Sequence, residues 1–176
     1  MKNNGEKTVT LNSFFELDEE KNCIMLNQKY SKNNPCEKDI SLTVFCGESE
    51  TRIGTLCAKW ISEEVYIDKK DLVNYLNQMI NLTDIAAKIS EYFEEEYFDS
   101  YILYKDLVVI TELDLSPKLT DENAELVMND LLDQLISVSD DGVVIVDIND
   151  ICCNRGALIK ALYLHHFSRI NDLFFY

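Results

Sequence analysis

Positive charge is scarce in this 176-residue chain: 16 Lys and Arg stand against 32 Asp and Glu, for a net charge of −16. A protein that grips duplex DNA or tRNA neutralises phosphates with a Lys/Arg footprint, and none is visible here. The deficit is uneven. Residues 106–150 hold twelve acids and one lysine, whereas residues 151–176 hold three basic residues and one acid. No apolar run approaches the ~20 residues that span a bilayer, so no membrane partner is expected. The opening MKNNGEKTVTLNS has neither the apolar stretch nor the cleavage-like site of an export signal, which makes the cytoplasm the expected compartment.

Histidine is nearly absent, with only His165 and His166, so a cysteine–histidine catalytic pair has little to draw on. Six cysteines occur, at 23, 36, 46, 57, 152 and 153, and none of their spacings is C-x2-C or C-x4-C. Adjacent Cys152 and Cys153 are poorly placed to ligate one zinc ion, so no metal site is expected. Reduced thiols suit a chain without an export signal. Cys46 and Cys57 fall in strand-like runs and read as small core hydrophobes. The chain also lacks internal repeats and low-complexity segments.

What is present is a globular composition, 47% hydrophobic and 27% charged, with enough length for one domain and a sizeable core. Residues 1–39 read as an N-terminal extension: a frayed polar start over 1–10, a weak strand near Cys23–Leu26 and the loop SKNNPCEKD. Residues 40–176 read as the main domain. Its first elements, ISLTVFC (40–46) and RIGTLCAKW (52–60), form a β-hairpin around GESET.

Helical spacing then takes over across 69–98. Leu72, Tyr75, Leu76, Met79 and Ile80 define one amphipathic stripe. Ile85, Ala86, Ile89, Tyr92 and Phe93 define a second, capped by Asn81 or Thr83. EYFEEEYFDS (91–100) reads as an acidic, frayed helix end. A carboxylate run of this kind is ordinarily a solvated face rather than a metal site.

LVVITELDL (107–115) is apolar on both sides, as a central strand should be. Pro117 closes it. Thr120 is placed to cap a helix over 120–136, with Asp121 and Glu122 in the first turn where acids suit the helix dipole. That helix buries Ala124, Val127, Leu131 and Leu135. DDGVVIVDI (140–148) supplies a second buried strand after a turn, RGALIKALYLHHF (155–167) a short helix, and RINDLFFY (169–176) a final strand. The order predicts an α/β domain, in α+β terms a central mixed sheet with helices on both faces. Strands 107–115 and 142–148 should be parallel neighbours joined by the intervening helix.

This order, with VVITELDLSP leading into a helix, resembles the GNAT N-acetyltransferase family over roughly residues 40–176. In that family the strand ends in a glycine-rich turn whose amides hold the acetyl-CoA pyrophosphate at a helix N-terminus. Laying the family pattern P-x-x-R-G-x-G-x-G on Pro117 puts its arginine on Thr120 and its glycines on Asp121, Asn123 and Glu125. Every signature position departs. Two like charges ~5 Å apart at an effective dielectric of about 20 repel by roughly 3 kcal/mol, so the acids here oppose a phosphate ligand. The resemblance therefore implies a GNAT-like fold whose cofactor grip is lost, with no cofactor bound. The family's general acid is a tyrosine, and Tyr163 in the C-terminal helix is the nearest match.

Two functions follow as expectations. The first is a non-catalytic GNAT-like domain that binds a basic protein surface rather than nucleic acid. An inhibitor or nucleic-acid mimic from a bacterial or phage mobile element is its specialised form. Glu122, Glu125 and Asp133, with Asn129, recur at three- and four-residue spacing and form the expected partner-binding stripe. The alternative is a divergent acyl-CoA-dependent N-acetyltransferase with Tyr163 as its acid. A simple solvated surface also accounts for excess acid.

Overall fold

The computed structural model describes residues 6–17, 20–32, 34–47, 51–149, 151 and 155–176. The expected mixed α/β sheet is present; among the described residues it has eight strands and carries five α-helices, more of each than the sequence order predicts. Strands run β1 (Glu6–Leu17), β2 (Glu20–Tyr30), β3 (Glu37–Cys46) and β4 (Thr51–Ile61), an antiparallel meander in which each strand pairs with the next. Helices α1 (Lys69–Leu76), α2 (Thr83–Tyr92) and α3 (Glu95–Tyr101) follow. Then come β5 (Leu107–Leu115), α4 (Asp121–Ser139), β6 (Val143–Asp147), α5 (Arg155–Leu164), β7 (Ser168–Ile170) and β8 (Leu173–Phe175). The spatial order is β1-β2-β3-β4-β5-β6-β8-β7.

The expected parallel pair is there: Leu107 to Ile110 of β5 run beside Val143 to Val146 of β6, joined by α4. Their unbroken apolar runs reflect a layer of helix on each side. Val108, Ile110, Val144 and Val146 face α4 and α5; Leu107, Val109, Val143 and Ile145 face α1–α3. Alternation along each strand thus divides one sheet between two cores. The α4 face is the larger and also draws in Ile24, Ile40 and Leu56 of the meander.

Several elements differ from the sequence expectation. The strands of the expected N-terminal extension are the first two of the sheet: β1 takes in residues 6–10 of the segment expected to fray, with residues 1–5 outside the described residues, and β2 is far longer than Cys23–Leu26. Only one face of β2 is covered, with Ile24 and Leu26 buried and Met25 exposed, so its apolar signal is diluted by half. Residues 91–100 are not one frayed helix end. The chain breaks at Phe93 and restarts as α3, which anchors itself by burying Phe98. The residue capping α2 is Leu82, with no side-chain cap bond, rather than Asn81 or Thr83. The single terminal strand is two short ones, turned at Asn171 with φ 52°, a left-handed position that asparagine tolerates.

Gly54 sets how closely α4 approaches β4. A Cβ there would lie 2.7 Å from Val127 Cγ1 and 3.0 Å from Leu115 Cδ2. Valine is stiff at χ1, so it yields little. Gly54→Ala is expected to lower stability by about 1–3 kcal/mol, the usual cost of overpacking, measured by urea unfolding. A neutral or stabilising result would mean that α4 shifts freely on the sheet. Among the described residues, no helix is long and apolar enough to cross a membrane.

Candidate functional site

The amino end of α4 lies at the carboxyl end of the β5–β6 parallel pair. In open α/β sheets this is where ligands are commonly held. Pairing between the two strands stops at Ile110 and Val146, whereas β5 continues beside β4 as far as Leu115. The connection then turns through Ser116, whose amide donates to Ile53 O, and Leu119, whose amide donates to Ser116 O. Thr120 takes extended backbone, and its Oγ1 accepts from the Asn123 amide at 3.2 Å, while its carbonyl accepts from Ala124 at 2.8 Å. The predicted N-cap is therefore in place. Its hydroxyl occupies an amide that a phosphate would otherwise use, and Asp121 and Glu122 stand exposed beside it.

Of the expected stripe, Glu122 is exposed, but Glu125 and Asp133 face α5. Glu125 Oε2 is 3.6 Å from Lys160 Nζ, and Asp133 Oδ1 is 3.3 Å from His165 Nδ1. The Glu125–Lys160 pair is mostly solvated and contributes little to stability. Asn129 lies between them in sequence, half-buried. The outer edge of α4 therefore presents acid at its amino end and mixed charge along its seam with α5. Tyr163, the expected general acid, is half-exposed and sets its ring edge-on to Phe174, with centroids 5.4 Å apart.

Two features at the same end of the sheet have no periodic sequence signal. The first is an ion pair between Lys88 of α2 and Asp147, the last residue of β6. The Asp147 side chain is fully buried, and its Oδ1 also accepts from the Asn149 amide at 3.0 Å. The available hint was compositional: Asp147 ends an otherwise apolar strand, and Lys88 is the lone cation between residues 71 and 104. The second is a cleft of ≈ 640 Å³ where the α1–α2 connection overhangs β3 and β4. Met79 and Leu82 form its upper wall. Ser41, Cys57 and Thr111 lie on the sheet side, with the Asp39–Lys59 ion pair, 2.7 Å apart, at one end.

Cys57 reads differently here from a core hydrophobe. It is half-buried in the cleft, 3.9 Å from Ser41 Oγ, and burial pushes its thiol pKa up, away from the reactive thiolate. Cys23, Cys36, Cys46 and Cys57 are free thiols; Cys152 and Cys153 lie outside the described residues. Cys46 packs against the α4-side core, as expected for a small apolar residue.

Comparison with known proteins returns no significant match to a family model, a curated protein or a solved structure.

Proposed function

We propose that the chain is a cytoplasmic, non-catalytic domain of GNAT-like architecture that works by docking its acidic surface on a basic surface of a partner protein. The observation that carries this reading is the amino end of α4. Thr120 caps it from within, and Asp121 and Glu122 surround it with negative charge. That end attracts cations and repels the phosphates that a cofactor loop would hold. Competition with nucleic acid for a basic protein is the specialised form of the same activity.

Association through such a surface is fast and fades with salt. The test is recovery of partners from native-host extract at low and high ionic strength, with wild type and with Glu122→Lys/Glu125→Lys/Asp133→Lys. Recovery should fall at least severalfold with the charge-reversed chain and with salt. Equal recovery by two folded proteins would leave the acid as solubilising surface only.

A second reading, a divergent acyl-CoA-dependent N-acetyltransferase, is favoured by the unequal lengths of the parallel pair: β5 runs on to Leu115 while β6 ends at Asp147, so the carboxyl end of β5 has no parallel neighbour among the described residues. Acetyl-CoA titration by calorimetry separates the two. Under the first reading no isotherm is seen tighter than about 100 μM, near −5.5 kcal/mol. A low-micromolar isotherm from wild type would favour the enzyme and make Tyr163 its first residue to mutate. Restoring the turn with Thr120→Arg, Asp121→Gly, Asn123→Gly and Glu125→Gly should raise affinity if a groove survives beyond it.

A further inference from the structure

The surface least explained by folding is on α3. Tyr97 and Tyr101 sit one helical turn apart with ring centroids 4.5 Å from each other. Both stand edge-on against Phe175, which holds them from below at 6.1 and 6.3 Å. Yet the two rings remain 37% and 46% exposed. Tyr104 follows in the turn after α3, 78% exposed and in left-handed backbone at φ 65°. A bulky residue rarely adopts that conformation.

Around Tyr97 and Tyr101 the exposed charge is predominantly acidic, while exposed Lys105 directly follows Tyr104. Glu94, Glu96 and Asp99 are exposed, and among the described residues no Lys or Arg pairs with them. The nearby Lys69 is already committed, to Glu95 at 3.6 Å and to the Phe93 carbonyl at 2.6 Å. Tyrosine is a favoured anchor of protein interfaces because it brings a large rigid face at little entropic cost. An aromatic face is also where a guanidinium is attracted by the ring quadrupole, and carboxylates at its rim strengthen that attraction.

We infer that the α3 face formed by Tyr97, Tyr101 and Tyr104, rimmed by Glu94, Glu96 and Asp99, docks an arginine-rich segment of a partner protein. This rests on the reading of the chain as an acidic binding domain. It moves the contact to the opposite side of the sheet from α4. The rings supply the aromatic anchor that charge alone lacks, so α3 is the specific contact and the acid of α4 the long-range attraction.

The probe is a ten-residue peptide of alternating arginine and glycine, titrated into the isotopically labelled full chain at low salt. Amide shifts should move saturably over residues 93–104, with α4 unmoved. Tyr97→Leu/Tyr101→Leu keeps the charge and the apolar contact with Phe175 but removes the ring faces. It should weaken binding about tenfold, whereas Tyr97→Phe/Tyr101→Phe should stay within about twofold. Glu122→Lys/Glu125→Lys/Asp133→Lys should leave the map on α3. Shifts confined to α4 would overturn the α3 assignment while leaving the acidic-docking reading intact. Equal affinity of the leucine and phenylalanine variants would overturn the role of the rings, and absence of saturable binding would overturn the inference altogether.

Discussion

Lys88→Met is expected to lower the unfolding free energy by about 3–5 kcal/mol, a large fraction of what a domain of this size possesses. The Asp147 side chain is fully buried at the end of β6, and Lys88 is the cation that faces it. With the ammonium gone, a carboxylate remains in a low-dielectric core with, among the described residues, one backbone donor, the Asn149 amide. The cost is that of an uncompensated charge, not the value of the pair. A companion variant separates the two: Lys88→Met/Asp147→Leu removes both charges and should recover most of the loss. Urea unfolding of the three chains makes the comparison. A single-variant loss below about 1 kcal/mol would show that water reaches Asp147 and that the end of β6 is more open than its burial implies.

Phe98→Ala is expected to cost a comparable 3–5 kcal/mol, but to act more locally. Helix α3 has seven residues, too few to persist on backbone bonds alone. Phe98 is its one fully buried side chain, set edge-on to Tyr66 at 6.4 Å. Tyr66 in turn clips the following turn by donating its hydroxyl to the carbonyls of Ile102 and Lys105. Burial and the neighbouring Asp106 and Glu63 carboxylates push the Tyr66 pKa well up, which keeps that donor protonated. Truncating Phe98 should therefore release residues 94–104 before the sheet unfolds. Hydrogen exchange would show early loss of protection there, with β5 and β6 unaffected. Uniform loss across the chain would mean that α3 belongs to the global folding unit.

The core of this fold was readable because its central elements are simple. VVI in β5 and VVIV in β6 are apolar on both sides only because helices cover both sides. Thr120 has the chemistry of a cap and occupies the cap position. Strand β2 was underestimated for the converse reason: one covered face halves the signal. Phe93 and Phe98 look alike in sequence, yet one ends a helix segment and the other anchors a new one. That distinction depends on Phe175 and Tyr66, which arrive from distant parts of the chain. The candidate site was less legible still. Lys88 and Asp147 are 59 positions apart, and no periodicity relates them. Glu125 and Asp133 fit an outward stripe by spacing, but their partners, Lys160 in α5 and His165 in the turn after it, come from a segment whose docking the spacing does not encode.

The order of the first four strands has a bearing on biosynthesis. Each pairs with its neighbour in the chain, so the meander can close as soon as Ile61 has left the ribosome. Its apolar side, with Ile24, Ile40, Leu42 and Leu56, is buried by α4, which ends at Ser139. At roughly 5–20 residues per second, the nascent sheet would wait on the order of 4–16 seconds with that face bare. During this interval the chain is most exposed to aggregation and has most need of a chaperone.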